Sequence, residues 1–409
     1  MKKNHPENFR ANNRRYIYIL LGLIINLCLG SVYSWSVFRK PLEQVFKLSA
    51  TESSLPYMFF LVFYAISMPL VGRVLDKFGP RMVSIVGGIL VGIGWILAGF
   101  SNSLKYLVLG YGIIAGTGVG IAYGVPIAVS AKWFEDKRGF AVGLTVLGFG
   151  MSPLITAPIA RKLIQIYGPL LTFRIIGVVF LIVVILLSIP LKFPFREKRT
   201  DERSKTKNDI LSCSPTEMVK TKTFWALWFC FVVGTLSGLM AIGISSPVGQ
   251  EIIKLSAEAA AVSVSIFAIF NGIGRPFFGW LTDKITPRFA AIFNFSLMFL
   301  ASVGMFFAKE GMTLLFLITF SLLWLSLGGW LSIAPTATAQ FFGTIHYSKN
   351  YGILFTGYGV GAILGNLISG KIRDIFGSYI FNFYITAILS IIGILIAFFY
   401  LKPVKNNQF

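Results

Sequence analysis

Arg275 stands in the apolar stretch FAIFNGIGRPFFGWLTD, two helical turns before Asp283, and so about 12 Å inside any membrane this stretch crosses. A guanidinium at that depth costs about 3 kcal/mol even on insertion scales. Its planar fork of donors matches a carboxylate in two-point geometry. By the apolar boundaries given below, Arg275 is the only Asp, Glu, Lys, Arg or His inside any such run, so no acid within a span neutralises it. The missing counter-charge points to an anionic ligand; snorkelling to the nearer surface, or bonding to helix carbonyls, is the alternative. Asn271 lies one turn earlier on the same face, placed to orient the guanidinium or to bond the ligand. Pro276 removes a backbone donor beside the site and bends the helix or simply packs there.

The elements that must position this arginine are long apolar helices. The chain has 409 residues, 55% hydrophobic and only 13% charged, with mean hydropathy +0.75. That charged share is about half that of an ordinary soluble domain. Runs near 20 residues, long enough to span a hydrocarbon core of about 30 Å, recur at roughly 16–38, 55–72, 82–101, 106–130, 139–160, 175–191, 223–247, 259–281, 289–308, 312–341, 350–370 and 379–401. Twelve spans predict an all-α membrane protein, with the lipid bilayer as its solvent. The first run is too long for a cleaved signal segment and reads as a retained span. Gly116, Gly118, Gly120, Gly148 and Gly150 allow neighbouring helices to approach closely.

The formal charge of +21 raises a nucleic-acid reading, which the distribution of the basic residues excludes. The segments on the side of the two termini hold 25 of the 37 Lys and Arg, and the opposite loops hold 11. The positive-inside rule therefore places both termini, and the loop at 192–222, in the cytoplasm of a cell-membrane protein. Cys28, Cys213 and Cys230 have no paired spacing, so neither a disulfide framework nor a metal site is expected. No cofactor is called for either. With no nucleotide loop, nucleophile constellation or effector domain, an enzyme or receptor has little to rest on.

The segment KFPFREKRTDERSKTKND, within 192–222, is polar and charge-dense and reads as a flexible linker. It divides the chain into six-helix bundles at 1–191 and 223–409, and these are repeats of one another. An offset near 207 aligns Lys47-Leu48-Ser49-Ala50 with Lys254-Leu255-Ser256-Ala257, Gly72 with Gly279, Asp76 with Asp283 and Arg81 with Arg288. At 209 it aligns Gly143 with Gly352, Gly150 with Gly359, Lys162 with Lys371 and Gly168 with Gly377. Parallel six-helix repeats are the organisation of carriers that rock one bundle against the other around a midplane site. Met68 is the repeat partner of Arg275, so the cation belongs to an asymmetric ligand rather than to the shared scaffold.

GRVLDKFGPR at 72–81 resembles the Gly-x-x-x-Asp-(Arg/Lys)-x-Gly-x-(Arg/Lys) signature between the second and third helices of the major facilitator superfamily. The second copy, GWLTDKITPR at 279–288, has Thr286 in place of the second glycine. Gly72 allows close helix contact, and Asp76 is expected to pair with basic residues or a helix N-terminus when the inner gate is shut. Asp283 and Arg81 are weighed for the same gate; Lys77 and Arg81 also serve as topogenic charges.

SVYSWSVF at 31–38, KWFEDKRG at 132–139, NGIGRPFFGWLTDK at 271–284 and FFGTIHYSKNYGILFTGYGVG at 341–361 are similar to the oxalate/formate antiporter family, a branch related to the monocarboxylate carriers. The resemblance runs from about Arg14 to Leu401. It implies the major facilitator fold, a monomer, and a cavity in which Arg275 binds carboxylate. By position it also implies an aromatic lining drawn from Tyr33, Trp35, Tyr123, Trp324 and Trp330. Oxalate-exchanging members use a second cation, a lysine in the eleventh helix, where this chain has Tyr358, the repeat partner of Phe149. Binding a dianion would leave half its charge unpaired, so monocarboxylates such as pyruvate, lactate or formate are expected, with Tyr358 donating a hydrogen bond. Lys40, with Arg39 at the outer end of the first span, resembles a lysine of the lactate carriers and either draws anions inward or anchors the interface. No span carries a titratable proton carrier, which leans toward antiport or facilitated diffusion over proton symport. Oxalate or another dicarboxylate, and a sugar, nitrate or drug, are the alternative solutes.

Overall fold

A computed structural model describes residues 15–134, 137–194, 213–343 and 345–403. Within those helices the side chains of Leu70, Gly72, Arg73, Asp76, Arg138, Gly139 and Ser348 lie outside the described set. Every regular element among the described residues is helical. Chain order gives α1 (Tyr16–Phe46), α2 (50–78), α3 (80–98), α4 (Leu104–Trp133), α5 (138–167) and α6 (169–188). The second half comprises α7 (Lys222–Glu251), α8 (Ala257–Ile285), α9 (Pro287–Phe306), α10 (Thr313–Phe342), α11 (Tyr347–Phe376) and α12 (Phe381–Tyr400).

All twelve expected spans are present, and most are longer than their apolar runs. The first extends to Phe46 rather than ending near residue 38. Hydropathy marks where apolar side chains stop; the helix continues as long as backbone bonds and buried polar partners sustain it. The claim that Arg275 is the only ionisable group in a span is corrected on this point, because Arg39 lies within α1 and is 0% exposed.

The repeat is a repeat of chain reversals. Lys47 and Lys254 both adopt positive φ, 54° and 65°. The serines that follow, Ser49 and Ser256, cap the next helices, α2 and α8, by accepting from the backbone N–H of Glu52 and Ala259. A left-handed residue followed by a serine cap ends one helix and starts another, which explains the duplicated Lys-Leu-Ser-Ala. Gly79, with φ 75° and ψ 166°, separates α2 from α3. Its partner Thr286 makes the same break at φ 82° and ψ 154°, a region that a β-branched residue enters only with strain.

The halves meet most extensively where α5 lies against α8 and α2 against α11, and α1 also meets α7. Each half has its own aromatic core, with Trp35 packed among Tyr111, Phe38 and Phe173 in the first, and Trp330 against Phe295 and Phe231 in the second. The end of the linker is packed rather than loose. Residues Pro215–Met218 form a turn of helix behind a Ser214/Glu217 capping box, and Asn350 donates to the Cys213 carbonyl. Bonds from the backbone N–H and hydroxyl of Ser214 hold the Glu217 carboxyl below the usual carboxylate range.

Candidate functional site

A central cavity of about 600 Å³ lies between the halves. It reaches from Arg275 to Asp283 and Tyr347 at the face where the chain passes from α6 to α7, called here the linker face. Its first-half wall carries Tyr64 and Met68 of α2, Tyr123 and Ile127 of α4, and Val142, Gly143 and Val146 of α5. The other wall comes from α8, α10 and α11, with Arg275, Leu331, Ser332, Tyr351 and Phe355 among its residues.

Arg275 is 6% exposed. Its Nη1 donates to the Val146 carbonyl of α5 at 3.2 Å, a bond to a helix carbonyl of the kind weighed above against an anionic ligand. The partner is a neutral carbonyl of the opposite half, and it leaves the charge unneutralised. Among the described residues, Nε and Nη2 have no hydrogen-bond partner. Phe149 lies under the guanidinium at 5.8 Å, and Tyr64 and Tyr123 line the cavity with it. α5 approaches this closely because residue 150 is glycine. A Cβ there would stand 2.8 Å from Asn271 Oδ1 and 3.3 Å from Arg275 Nε.

Asn271 does not hold the guanidinium. Its Nδ2 donates to the Trp324 carbonyl at 3.1 Å, tying α8 to α10, and its Oδ1 is unpartnered. Tyr358 is 0% exposed and its hydroxyl pairs with that of Tyr33 at 3.2 Å, joining α11 to α1. Trp324 meets the Tyr33 ring edge-on at 6.4 Å and donates from Nε1 to Ser245. Tyr33, Tyr358 and Trp324 thus form an aromatic roof over Phe149 and Arg275, while Tyr123 lines the cavity itself. Trp35 and Trp330 are elsewhere: each sits in the packed core of its own half, because its helix turns that side away from the partner half.

Above the roof the opposite face is closed by polar contacts between halves. Arg39 donates from Nη1 to the Gly243 carbonyl of α7 at 3.1 Å, while Nη2 and Nε hold Ala50 and Ser53 of α2. Lys40 pairs with Glu251 of α7 and, at 3.2 Å, with Glu43. Arg373 Nε reaches the same Glu251 at 2.5 Å. At the α2–α11 seam, Asp374 accepts the backbone N–H groups of Ala50 and Thr51 at 2.8 and 3.0 Å, capping α2 from the other half. At the α5–α8 seam, Arg161 pairs with Glu258 at 2.8 Å. Of the expected gating residues, then, Lys40 closes the face opposite the linker. Asp283 lines the open mouth, with Gln340 at 3.4 Å, and Arg81 is exposed at the linker face. The side chains of Gly72 and Asp76 lie outside the described residues.

Sequence reasoning missed Tyr347 and Tyr351 of the cavity wall. With Phe355 and Tyr358 they recur every three or four residues along one face of α11, a signal available from spacing alone. It also missed Glu251, Glu258 and Asp374, which look like ordinary loop-end charges until the halves are docked.

A two-repeat bundle of twelve membrane helices, with a central cavity open at one face and sealed at the other, has the architecture of an alternating-access membrane transporter. The Major Facilitator Superfamily profile matches residues 19–345, and the chain belongs to that superfamily. The oxalate:formate antiporter of Oxalobacter formigenes is 30% identical over 413 residues, covering 98% of this chain and 97% of that protein. Monocarboxylate transporter 12 of Xenopus laevis is 27% identical over 341 residues, covering 76% of this chain and 72% of its own. Among solved structures, a bacterial homologue of the human lysosomal transporter Spinster, inward-facing and unoccupied, matches with a TM-score of 0.72 at 18% identity. It covers 95% of this chain and 96% of that one, a likeness of fold alone.

Proposed function

We propose that this transporter carries small monocarboxylates of the pyruvate, lactate or formate type, with Arg275 as the carboxylate ligand. The observation that carries the reading is a buried guanidinium at the inner end of the cavity with two nitrogens unpartnered. Binding a carboxylate there exchanges a neutral carbonyl for a charged acceptor and supplies the counter-charge that the cavity wall lacks beside it. The relatives named for oxalate and formate exchange and for monocarboxylate transport support the same chemistry. Anion exchange is the favoured coupling, since among the described lining residues the one carboxylate, Asp283, stands at the mouth and not beside Arg275; proton-linked transport is the other mode. The positive-inside balance makes the linker face cytoplasmic, so the present state opens inward.

Uptake of radiolabelled pyruvate, lactate, formate and oxalate into proteoliposomes, with and without internal substrate and a pH gradient, tests solute and coupling together. Arg275→Gln is expected to abolish carboxylate uptake. Uptake at the parental rate would refute the proposed role of the arginine.

A further inference from the structure

A second cavity, of about 470 Å³, lies between α2 and α3 and shares no described lining residue with the central one. Val71, Val74 and Phe78 recur every three or four residues along one side of α2, and Met82 and Val86 face them from α3. The chain reverses between the two helices at Gly79. Ile121 of α4 closes the back. There α4 is held close to α3, since a Cβ on Gly87 would stand 2.8 Å from the Gly118 carbonyl. Val74, Phe78, Met82 and Val86 are 43–57% exposed, so the cavity is a groove open along its side to the surrounding lipid. From Phe78 at the linker face to Ser67 at its inner end, α2 rises about 16 Å. That is about half of a hydrocarbon core of about 30 Å, the depth of one leaflet. The rim at the linker face is basic: Lys77 and Arg81 flank Gly79, and both are exposed. Lys77 Nζ stands 5.2 Å from the ring of Phe78, a wall residue of the groove. Among the described residues neither cation pairs with a carboxylate.

We infer that this groove holds one acyl chain of an anionic phospholipid from the leaflet at the linker face, with the phosphate on Lys77 and Arg81. The depth of the groove matches one leaflet, its walls are apolar, and its charge is confined to the end where headgroups lie. Because the groove is open along its side, a two-chain lipid lays one chain in it and leaves the other in the bilayer. A chain entering it leaves other lipid chains rather than water, so the walls supply packing and little hydrophobic drive. Selection therefore falls to the headgroup, and two exposed cations select a negative one. The positive-inside balance makes this the cytoplasmic leaflet, whose anionic lipids attract basic residues at the membrane surface.

The test is lipid retention by the purified full-length protein in detergent, counted by native mass spectrometry during titration with phosphatidylglycerol, with phosphatidylcholine of the same chains, or with oleate. A basic residue beside an anionic headgroup is worth about fivefold in affinity. Phosphatidylglycerol is therefore expected to bind the parent about 20-fold more tightly than phosphatidylcholine at low salt, and the double variant Lys77→Gln, Arg81→Gln to lose that preference. Val74→Trp and Met82→Trp fill the groove from opposite walls, and each is expected to lower phosphatidylglycerol retention at least tenfold; either one decides the point where the other fails to fold. Equal retention of the two phospholipids by the parent, or a preference that survives in the double variant, would overturn the role of the cations. Parental retention in a folded tryptophan variant would overturn the groove as the site. Displacement of phosphatidylglycerol by an equal concentration of oleate would make a free fatty acid the occupant and overturn the phospholipid assignment.

Discussion

Replacing Arg39 by glutamine should release the face opposite the linker. Arg39 is buried, and its guanidinium makes two kinds of contact. Those to Ala50 and Ser53 lie within the first half and persist whichever way the carrier faces, so they cancel from the conformational equilibrium. The bond from Nη1 to the Gly243 carbonyl crosses to the second half at 3.1 Å and exists only while this face is shut. A buried hydrogen bond to a charged group contributes about 1.5–3 kcal/mol, which multiplies the open-to-closed ratio by about 10 to 150 on its loss. Ser246 reports the change, since it lines a small polar cavity between the halves on this face and is 1% exposed when the face is closed. Cys28, Cys213 and Cys230 are all buried, so a cysteine introduced at Ser246 can be followed by its rate of alkylation with a polar maleimide. The rate should rise at least tenfold in Arg39→Gln. An unchanged rate, in protein with parental unfolding temperature, would show that the Arg39–Gly243 bond does not hold the face closed.

Further outcomes follow from the same contacts. Asp374→Asn loses the charge and one of two backbone bonds at an exposed helix end, so solvent screening limits the shift toward the open face to about fivefold, about 1 kcal/mol; the Ser246 assay reads it. Arg161→Gln should change that rate less than about twofold at physiological salt, because Glu258 is 52% exposed. Thr286→Gly relieves strain of about 1–3 kcal/mol and costs about 0.5–1 kcal/mol in chain entropy. A net gain of about 1 kcal/mol in denaturant unfolding is expected, and a loss would refute the strain argument. Gly150→Val drives a side chain onto Asn271 Oδ1 and Arg275 Nε; carboxylate uptake should fall at least tenfold while the protein still assembles in the membrane.

Apolar length and the repeat could be read directly because each is written locally, and the chain reversals showed in the sequence only as the duplicated Lys-Leu-Ser-Ala. A 20-residue apolar run has one stable outcome in lipid, and a left-handed lysine followed by a serine cap carries its geometry with it wherever it occurs. Thr286 shows the limit of local reading. The second copy of the motif lacks the glycine, yet the chain adopts the same glycine-like conformation at the threonine.

Arg275 was legible because a membrane cation is costly, and the cost does not depend on knowing its neighbours. Its neighbours were another matter. Trp35 and Tyr33 are two residues apart, yet one lies in a bundle core and the other in the roof against Tyr358. Sequence could place both in the first span; the rotation of α1, and the side from which α7 and α11 meet it, decided between them. Arg39 read as a loop-end charge until Gly243, some two hundred residues away, supplied its acceptor. The sequence by itself determined which helices form, where they turn and that one of them bears an uncompensated cation. Only the tertiary structure decided which faces of those helices meet, because that depends on close packing between segments far apart in the chain. From that packing come the amphipathic cavity, the aromatic roof and the latch opposite the linker.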